Sequence, residues 1–364
     1  QNEYIGTQGL RRATIRFLAN VIVKNAKEIW LYSDQDISWI TEDKSFLIIW
    51  MTLLGTCVRK RMKIKIIHNI NRDPDEMIKG LESWIPLYMS GMIEPYYSKR
   101  ITDERFSHSL FICPDVVCAE ASHVRGSEKT GVYRYHEDKM HLEIFMNQFE
   151  NLLSTCEPLM KIYTQTDLAK YIFYTDNAFN KGSIVTMLNS LSIAFLPKRT
   201  LDSMLLRVSI TDEEKEKIYS FYLSRVNMYR KAIKHENVSD IIPLPDIHDV
   251  EEGKISLNLE NIRSGLRIPY TLDDYKSHVE KVLSVMKSDS TYSLVSLPET
   301  PFANVQIIIN GDIVTVVKSN TPQIAFVISN PQMSRAFKEY ASRLHDKYYQ
   351  EREDIEKKLS EYLV

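Results

Sequence analysis

The sequence predicts an α/β protein built of two related halves, each a mixed sheet with flanking helices, followed by a long C-terminal helix. Three observations predict it. Strand-like and helix-like patterns alternate along the chain, the same order of elements occurs twice, and the apolar content suffices for two large cores. The 364 residues are 44% hydrophobic and 26% charged, an ordinary globular composition.

In the first half, Glu28 to Asp34 reads as a strand that ends in polar residues. Residues 43–60 are apolar nearly all round (Phe46, Ile48, Ile49, Trp50, Leu53, Leu54, Val58), which predicts a deeply buried helix. From Met62 to Ile70, Lys63 and Lys65 alternate with Ile64 and Ile66, the mark of a half-buried strand. Asp73-Pro74 opens the next helix, whose inner face carries Leu81, Trp84, Ile85 and Tyr88. A strand at 92–98 follows. Two more, at 108–113 and 116–121, join at Pro114-Asp115 as a tight hairpin. A strand at 132–136 and a helix at 139–153 complete the half.

The second half repeats this order. A helix at 211–235, a strand from Ser239 and a helix from Tyr270 to Met286 answer the first half in turn. Next come the strand at Tyr292, a hairpin from Val305 to Val317, a strand from Gln323 to Ile328 and a helix from Met333. One constant offset pairs Met89 with Met286, Asp115 with Asp312 and Ser122 with Ser319. A smaller offset upstream implies an insertion around 245–270. The repeated order, rather than residue identity, carries the duplication.

The expected division is a helix and linker at 1–27, halves at 28–165 and 166–345, and a helical extension at 346–364. Because the chain opens on Gln1, the linker is expected to follow an absent upstream domain. Apolar residues of the last helix (Phe337, Ala341, Leu344, Tyr348, Ile355, Leu359, Leu363) form a stripe suited to its own body or to a partner helix in a homodimer.

Composition excludes several classes. A net charge of −2 argues against non-specific nucleic-acid binding, which needs a concentrated basic face. The short run Arg11-Arg12 to Arg16 reads as a solvated helix face. No phosphate-binding glycine loop occurs among the 11 glycines, and no cofactor is implied. Cys57, Cys113, Cys118 and Cys156 lack metal-ligand spacing, and their use fits a reducing cytoplasm. His136 and His141 do not share a helical face, so no metal site is expected. No apolar run is long enough for a membrane span.

The first hairpin reads His108-Ser109-Leu110, four residues, then Asp115, with Ser122 beyond. This resembles the H-x-K-x4-D motif of the phospholipase D superfamily with leucine at the lysine position. The second hairpin reads Val305-Gln306-Ile307, four residues, then Asp312, with Ser319-Asn320 beyond. The resemblance implies two phospholipase D-like pseudo-repeats sharing a site. Phosphodiester transfer by that route needs a histidine nucleophile, a second histidine as acid and flanking cations. With Val305, Leu110 and Ile307 in three of those places, no catalysis is expected. The bland reading of Asp115 and Asp312 is as hairpin-corner residues, and His108 reads equally as a core histidine.

Polar residues at strand ends and in the hairpins, facing the seam between the halves, form the expected pocket, because ligands of open α/β sheets bind beyond the carboxyl ends of strands. They are Ser33, Asp34, His68, His108, Asp115, Ser122, Gln306, Asp312, Ser319 and Asn320. Each has a plain alternative as a cap or turn residue. The order from Arg11 through Asn69 to Ser296-Leu297-Pro298 and Ile324 to Ile328 is similar to the long C-terminal region of certain bacterial helix-turn-helix transcriptional regulators. That resemblance implies a sensor for an unknown small-molecule effector, touching DNA only through an upstream domain. A diverged phosphodiesterase and a protein-binding scaffold are the rival expectations.

Overall fold

A computed structural model describes residues 2–99, 103–178 and 182–364. The chain divides into two compact units after Met160, five residues before the expected division.

Unit 1 begins with β1 (Glu3–Ile5), α1 (Gly6–Val23), β2 (Glu28–Ser33), α2 (Ser38–Thr41) and α3 (Lys44–Arg59). It continues with β3 (Lys63–His68), α4 (Pro74–Tyr88), β4 (Ile93–Ser98), β5 (Phe106–Cys113) and β6 (Val117–Val124). β7 (Val132–His136), α5 (Lys139–Leu153) and β8 (Cys156–Pro158) close it. The strands form one sheet in the order β1-β7-β6-β5-β2-β3-β4-β8. β2, β3 and β4 are parallel and every other pairing is antiparallel. Parallel neighbours require crossovers, which α3 and α4 supply. Asp43 caps α3 at the Phe46 amide (3.0 Å), and Asp73 precedes Pro74 at the start of α4.

Three expectations for this unit are corrected. Residues 1–27 are not a linker: β1 pairs with β7, and Leu10, Ala13, Phe17, Leu18 and Val21 of α1 are buried. Arg11 is likewise no solvated residue, since its Nε donates to the Trp39 carbonyl (2.8 Å) and its Nη1 meets Asp43 (3.4 Å). Nor is α3 buried all round. It buries Phe46, Trp50, Leu54 and Cys57 and leaves Ile48 67% and Ile49 43% exposed.

Unit 2 opens with β9 (Lys161–Thr164), α6 (Leu168–Ala178), β10 (Ile184–Met187), α7 (Lys198–Leu205) and α8 (Asp212–His235). β11 (Val238–Pro243), α9 (Ile247–Glu251), β12 (Ser256–Asn258), β13 (Arg267–Pro269) and α10 (Leu272–Ser288) follow. β14 (Tyr292–Leu297), β15 (Val305–Asn310), β16 (Ile313–Lys318), β17 (Ile324–Ile328), α11 (Pro331–Tyr348) and α12 (Arg352–Ser360) complete it. Its main sheet runs β14-β11-β10-β15-β16-β17-β9, and β12 with β13 makes a separate ladder in the expected insertion.

Each main sheet therefore contains seven strands in one order: β1-β7-β6-β5-β2-β3-β4 and β9-β17-β16-β15-β10-β11-β14. The parallel and antiparallel senses match pair by pair. The repeat extends to the first edge strand and its helix, so α1 corresponds to α6. The architecture is mixed α/β with two large mixed sheets and flanking helices.

The hairpins differ at their turns. Pro114 to Val116 is a three-residue loop with Asp115 in the left-handed region (φ 60°), whereas Gly311-Asp312 is a two-residue turn with Gly311 at φ 56°. His108 consequently faces Ser122, while Val305 faces Lys318. The sequence pairing of Ser122 with Ser319 is thus out of register by one residue, which exchanges the faces of the sheet.

The final helix is two helices, broken after Tyr348. Ile355, Leu359 and Tyr362 enter the core of unit 2, so the lower part of the expected partner stripe is spent within the chain. In the same core, the fully buried His278 donates from Nε2 to the Ser192 carbonyl (2.9 Å), which leaves Nδ1 to accept from the Tyr270 hydroxyl (3.2 Å). Desolvation pushes its pKa from 6.5 down to about 4.

Two outcomes follow from this packing. Phe17→Ala is expected to cost about 3–5 kcal/mol in urea unfolding, as a buried aromatic does; a linker helix would lose almost nothing. His278 binds a proton in the unfolded chain below pH 6.5 but in the folded chain only near pH 4. Stability from its neutral form is complete above pH 6.5 and falls by about 1.4 kcal/mol per pH unit as pH drops through that window. His278→Asn should flatten the measured slope by that amount, and an unchanged slope would contradict the assignment.

Candidate functional site

Each unit has a concavity that reaches the carboxyl end of parallel strands, β2 and β3 in unit 1 and β10 in unit 2. In unit 1 a cleft of about 420 Å³ is bordered by Tyr32, Asp34, His68, Ser98, Asp103 and His108, with the end of α5 opposite. Asp34 is 2% exposed and fully engaged. It accepts from Ser107 Oγ (3.0 Å) and the His108 amide (2.7 Å), and it pairs with Arg125 (3.3 Å). The Ser33 hydroxyl is held by Ser109 (2.9 Å).

His68 and His108 both border the cleft, but the His68 ring is engaged on the side of α4. Ile67 packs in the cluster of Trp30, Leu110 and Phe149 below α5, so its neighbour His68 turns to the opposite face. There the His68 ring meets Trp84 and Tyr88 edge-on and bonds the Tyr88 hydroxyl. Desolvation, helped by Arg72, pushes its pKa down to about 3. His108 is exposed, opposite the exposed Ser122. Leu110 is buried against α5. Asp115 stands at the hairpin tip, on the order of 20 Å along the strand from His108. Asp312 also occupies a tip, paired with Lys338 (2.8 Å).

In unit 2 a cavity of about 120 Å³ lies between α8, α6 and the strands β15 to β17. Gln306 and Ser319 line it. Asn320 adjoins Ser319, and its Oδ1 is buried without a partner. Apolar walls come from Leu188, Leu191, Ile308 and Ala325, and aromatic ones from Tyr163, Tyr171, Phe221 and Tyr229. Asn258 donates to the Ser319 carbonyl, whereas the Nδ2 of Asn261 is buried and finds no acceptor.

Sequence reasoning missed the side of the cavity formed by α8. Ile218, Tyr222, Arg225, Tyr229 and Ala232 are all buried on one stripe. The signal was present: Arg225 is a charged residue on an otherwise apolar helical stripe. Tyr229 is fixed from behind by Asp240, which is 1% exposed. The Asp240 carboxyl accepts from Thr186 Oγ1 (2.6 Å), Tyr229 (2.7 Å) and Tyr292 (2.9 Å), and burial raises its pKa.

One further grouping was not expected. His136 ends β7 and His141 begins α5, so the turn brings them together although helical spacing would not. Their rings stack at 4.3 Å, and ligand atoms of both lie close to Asp138. Asp138 is already committed, since it caps the His141 amide (3.1 Å) and accepts from the His141 ring (2.8 Å).

The class defined by these features is a two-unit α/β protein with a duplicated mixed sheet and a partly open cavity in the second unit. No family model matches the chain, and no curated protein matches it. Among solved structures it is similar to TrmBL2, described as an archaeal chromatin protein with a novel mode of DNA binding. Identity is 15%, the match covers 43% of this chain and 53% of that one, and the TM-score is 0.30. It is also similar to yeast tyrosyl-DNA phosphodiesterase, at 10% identity over 86% of each chain with a TM-score of 0.26. Likenesses at these scores carry no argument. No described helix is long and apolar enough to cross a membrane.

The Asp240 cluster makes a testable statement about the cavity wall. Asp240→Leu leaves three buried hydroxyls unpaired and is expected to cost about 3 kcal/mol or more in urea unfolding. Asp240→Asn keeps an acceptor and should cost less than half as much. Equal losses would show that the hydroxyls are not held by the carboxyl oxygens.

Proposed function

We propose that the chain is a non-catalytic, ligand-binding regulatory module whose effector site is the cavity of unit 2. The observation that carries this reading is the make-up of that cavity: mostly apolar and aromatic walls with a few convergent polar groups, Gln306, Asn258, Asn261 and Arg225. Small-molecule sites have this composition. The resemblance to the C-terminal regions of helix-turn-helix regulators fits it. In that reading an occupant favours one arrangement of the surrounding elements, and DNA contact and dimerisation reside outside the cavity.

The phosphodiesterase alternative rests on His108. Against it stand the place of Leu110 in the core below α5, the turn of His68 to the other face, and the cleft border. Among the described residues that border carries two carboxylates and no lysine or arginine. A transferring phosphoryl group there would meet like charge instead of stabilising cations.

Thermal-shift screening of the full chain against small carboxylates, sugars and nucleosides is expected to find a stabilising ligand, and Ser190→Trp, which fills the cavity, should abolish the shift. Hydrolysis of bis(4-nitrophenyl) phosphate should remain at background in both wild type and His108→Ala. Turnover by the wild type that His108→Ala removes would overturn the proposal in favour of an enzyme.

A further inference from the structure

Arg225 sits in the wall of the unit 2 cavity at 6% exposure. A guanidinium this deeply buried is normally answered by a carboxylate, because the charge loses its hydration. Arg11 in unit 1 shows the normal arrangement, bonded to a carbonyl and to Asp43. Arg225 does not. Its Nη2 donates to the Tyr171 hydroxyl (2.9 Å), its Nη1 lies 3.9 Å from the Met228 sulfur, and its plane lies over Phe221 and Tyr171. Of the five donors a guanidinium carries, these neutral partners take two.

No aspartate or glutamate lines the cavity, and Arg225 is the one charged side chain in its wall among the described residues. Nearby acids are spent elsewhere. Glu260 pairs with Arg267 and accepts from Thr321, Asp176 accepts from Ser224, and Asp240 is surrounded by three hydroxyls. A second, independent observation points the same way: the buried Nδ2 of Asn261 is a further donor in the wall without an acceptor. The cavity thus presents a cation and a spare N–H, and no anion.

We infer that the occupant of the unit 2 cavity is a small monocarboxylate with an apolar body, its carboxylate held by Arg225. This deepens the ligand-binding reading above and rests on it. The guanidinium fork matches a planar carboxylate in a bidentate pair. A phosphate dianion would leave one charge unanswered, because the wall offers no second cation. Leu188, Leu191, Ile308 and Ala325 with the tyrosine rings enclose the body. A volume of about 120 Å³ accommodates roughly eight to twelve non-hydrogen atoms, given about 10–15 Å³ per water-sized group.

The inference also explains why the arginine persists without a partner in the chain. A buried ion that costs stability is retained where function needs it, and the ligand supplies the missing charge.

The test is isothermal titration calorimetry of the full chain with benzoate and phenylacetate, their neutral amides benzamide and phenylacetamide, and inorganic phosphate. At least one carboxylate is expected to bind, with its amide and phosphate weaker by about tenfold or more. Arg225→Met should weaken that carboxylate by about 100-fold or more, while the ligand-free variant melts at or above the wild-type temperature. Arg225→Lys, which keeps the charge and loses the fork, should fall between. An amide that binds as well as its acid, tighter phosphate binding, or full affinity in Arg225→Met would overturn the inference. Amide binding that Ser190→Trp abolishes would preserve the cavity as a ligand site and remove only the anion. Failure of every probe to bind would overturn the carboxylate inference, while the ligand-binding reading falls only if the thermal-shift screen finds no ligand.

Discussion

Three parallel strands placed beside an antiparallel hairpin make a sheet that is apolar on both faces, and the rest of each unit follows from covering them. Crossover helices are obligatory between parallel neighbours, which accounts for α3 and α4 in unit 1 and α8 and α10 in unit 2. The hairpin side needs its own cover, which α1 and α5 provide in unit 1. This is why Phe17 and Val21 are fully buried, and why the first helix belongs to the fold rather than to a tether. The same requirement concentrates polar side chains where the strands run out, at Asp34 and Ser98 in one unit and around Ser190 and Ser192 in the other.

The two units use that common plan differently. In unit 1 the buried charge at the strand end, Asp34, is met by Arg125, by a serine and by a backbone amide. Nothing remains to recognise a ligand except exposed groups such as His108. In unit 2 the buried acid Asp240, in the middle of β11, draws hydroxyl donors inward and fixes Tyr229, and the buried charge facing the cavity has no carboxylate partner among the described residues. Stability and function separate here. The Asp240 cluster is satisfied and holds the wall, whereas Arg225 is unsatisfied by the chain and gains its partner only from outside.

Much of this fold was legible because it depends on local periodicity. Lysine alternation marked β3, Asp73-Pro74 marked the start of α4, and the twice-repeated order marked the duplication. What escaped depends on tertiary context. The apolar run of α3 gave no warning that Ile48 and Ile49 would stay exposed. The one-residue difference between the turns at Asp115 and Gly311 shifted the register beyond them, so a match by numbering placed Ser122 and Ser319 on equivalent footing when they are not. The motif-based search also favoured hairpin residues, two of which, Asp115 and Asp312, lie at turn tips. Gln306 and Ser319 came from the second hairpin motif, and both border the unit 2 cavity. Arg225 was missed because a long charged helix disguises one arginine on its inner stripe.

The most direct measurement of the central claim is a crystal structure of the full chain soaked with 4-bromobenzoate, with anomalous scattering locating the bromine. The account predicts a bromine peak inside the unit 2 cavity, with the carboxylate within hydrogen-bond distance of Arg225 and near Asn261. Binding only elsewhere, or Arg225 paired with a carboxylate of the protein itself, would contradict it.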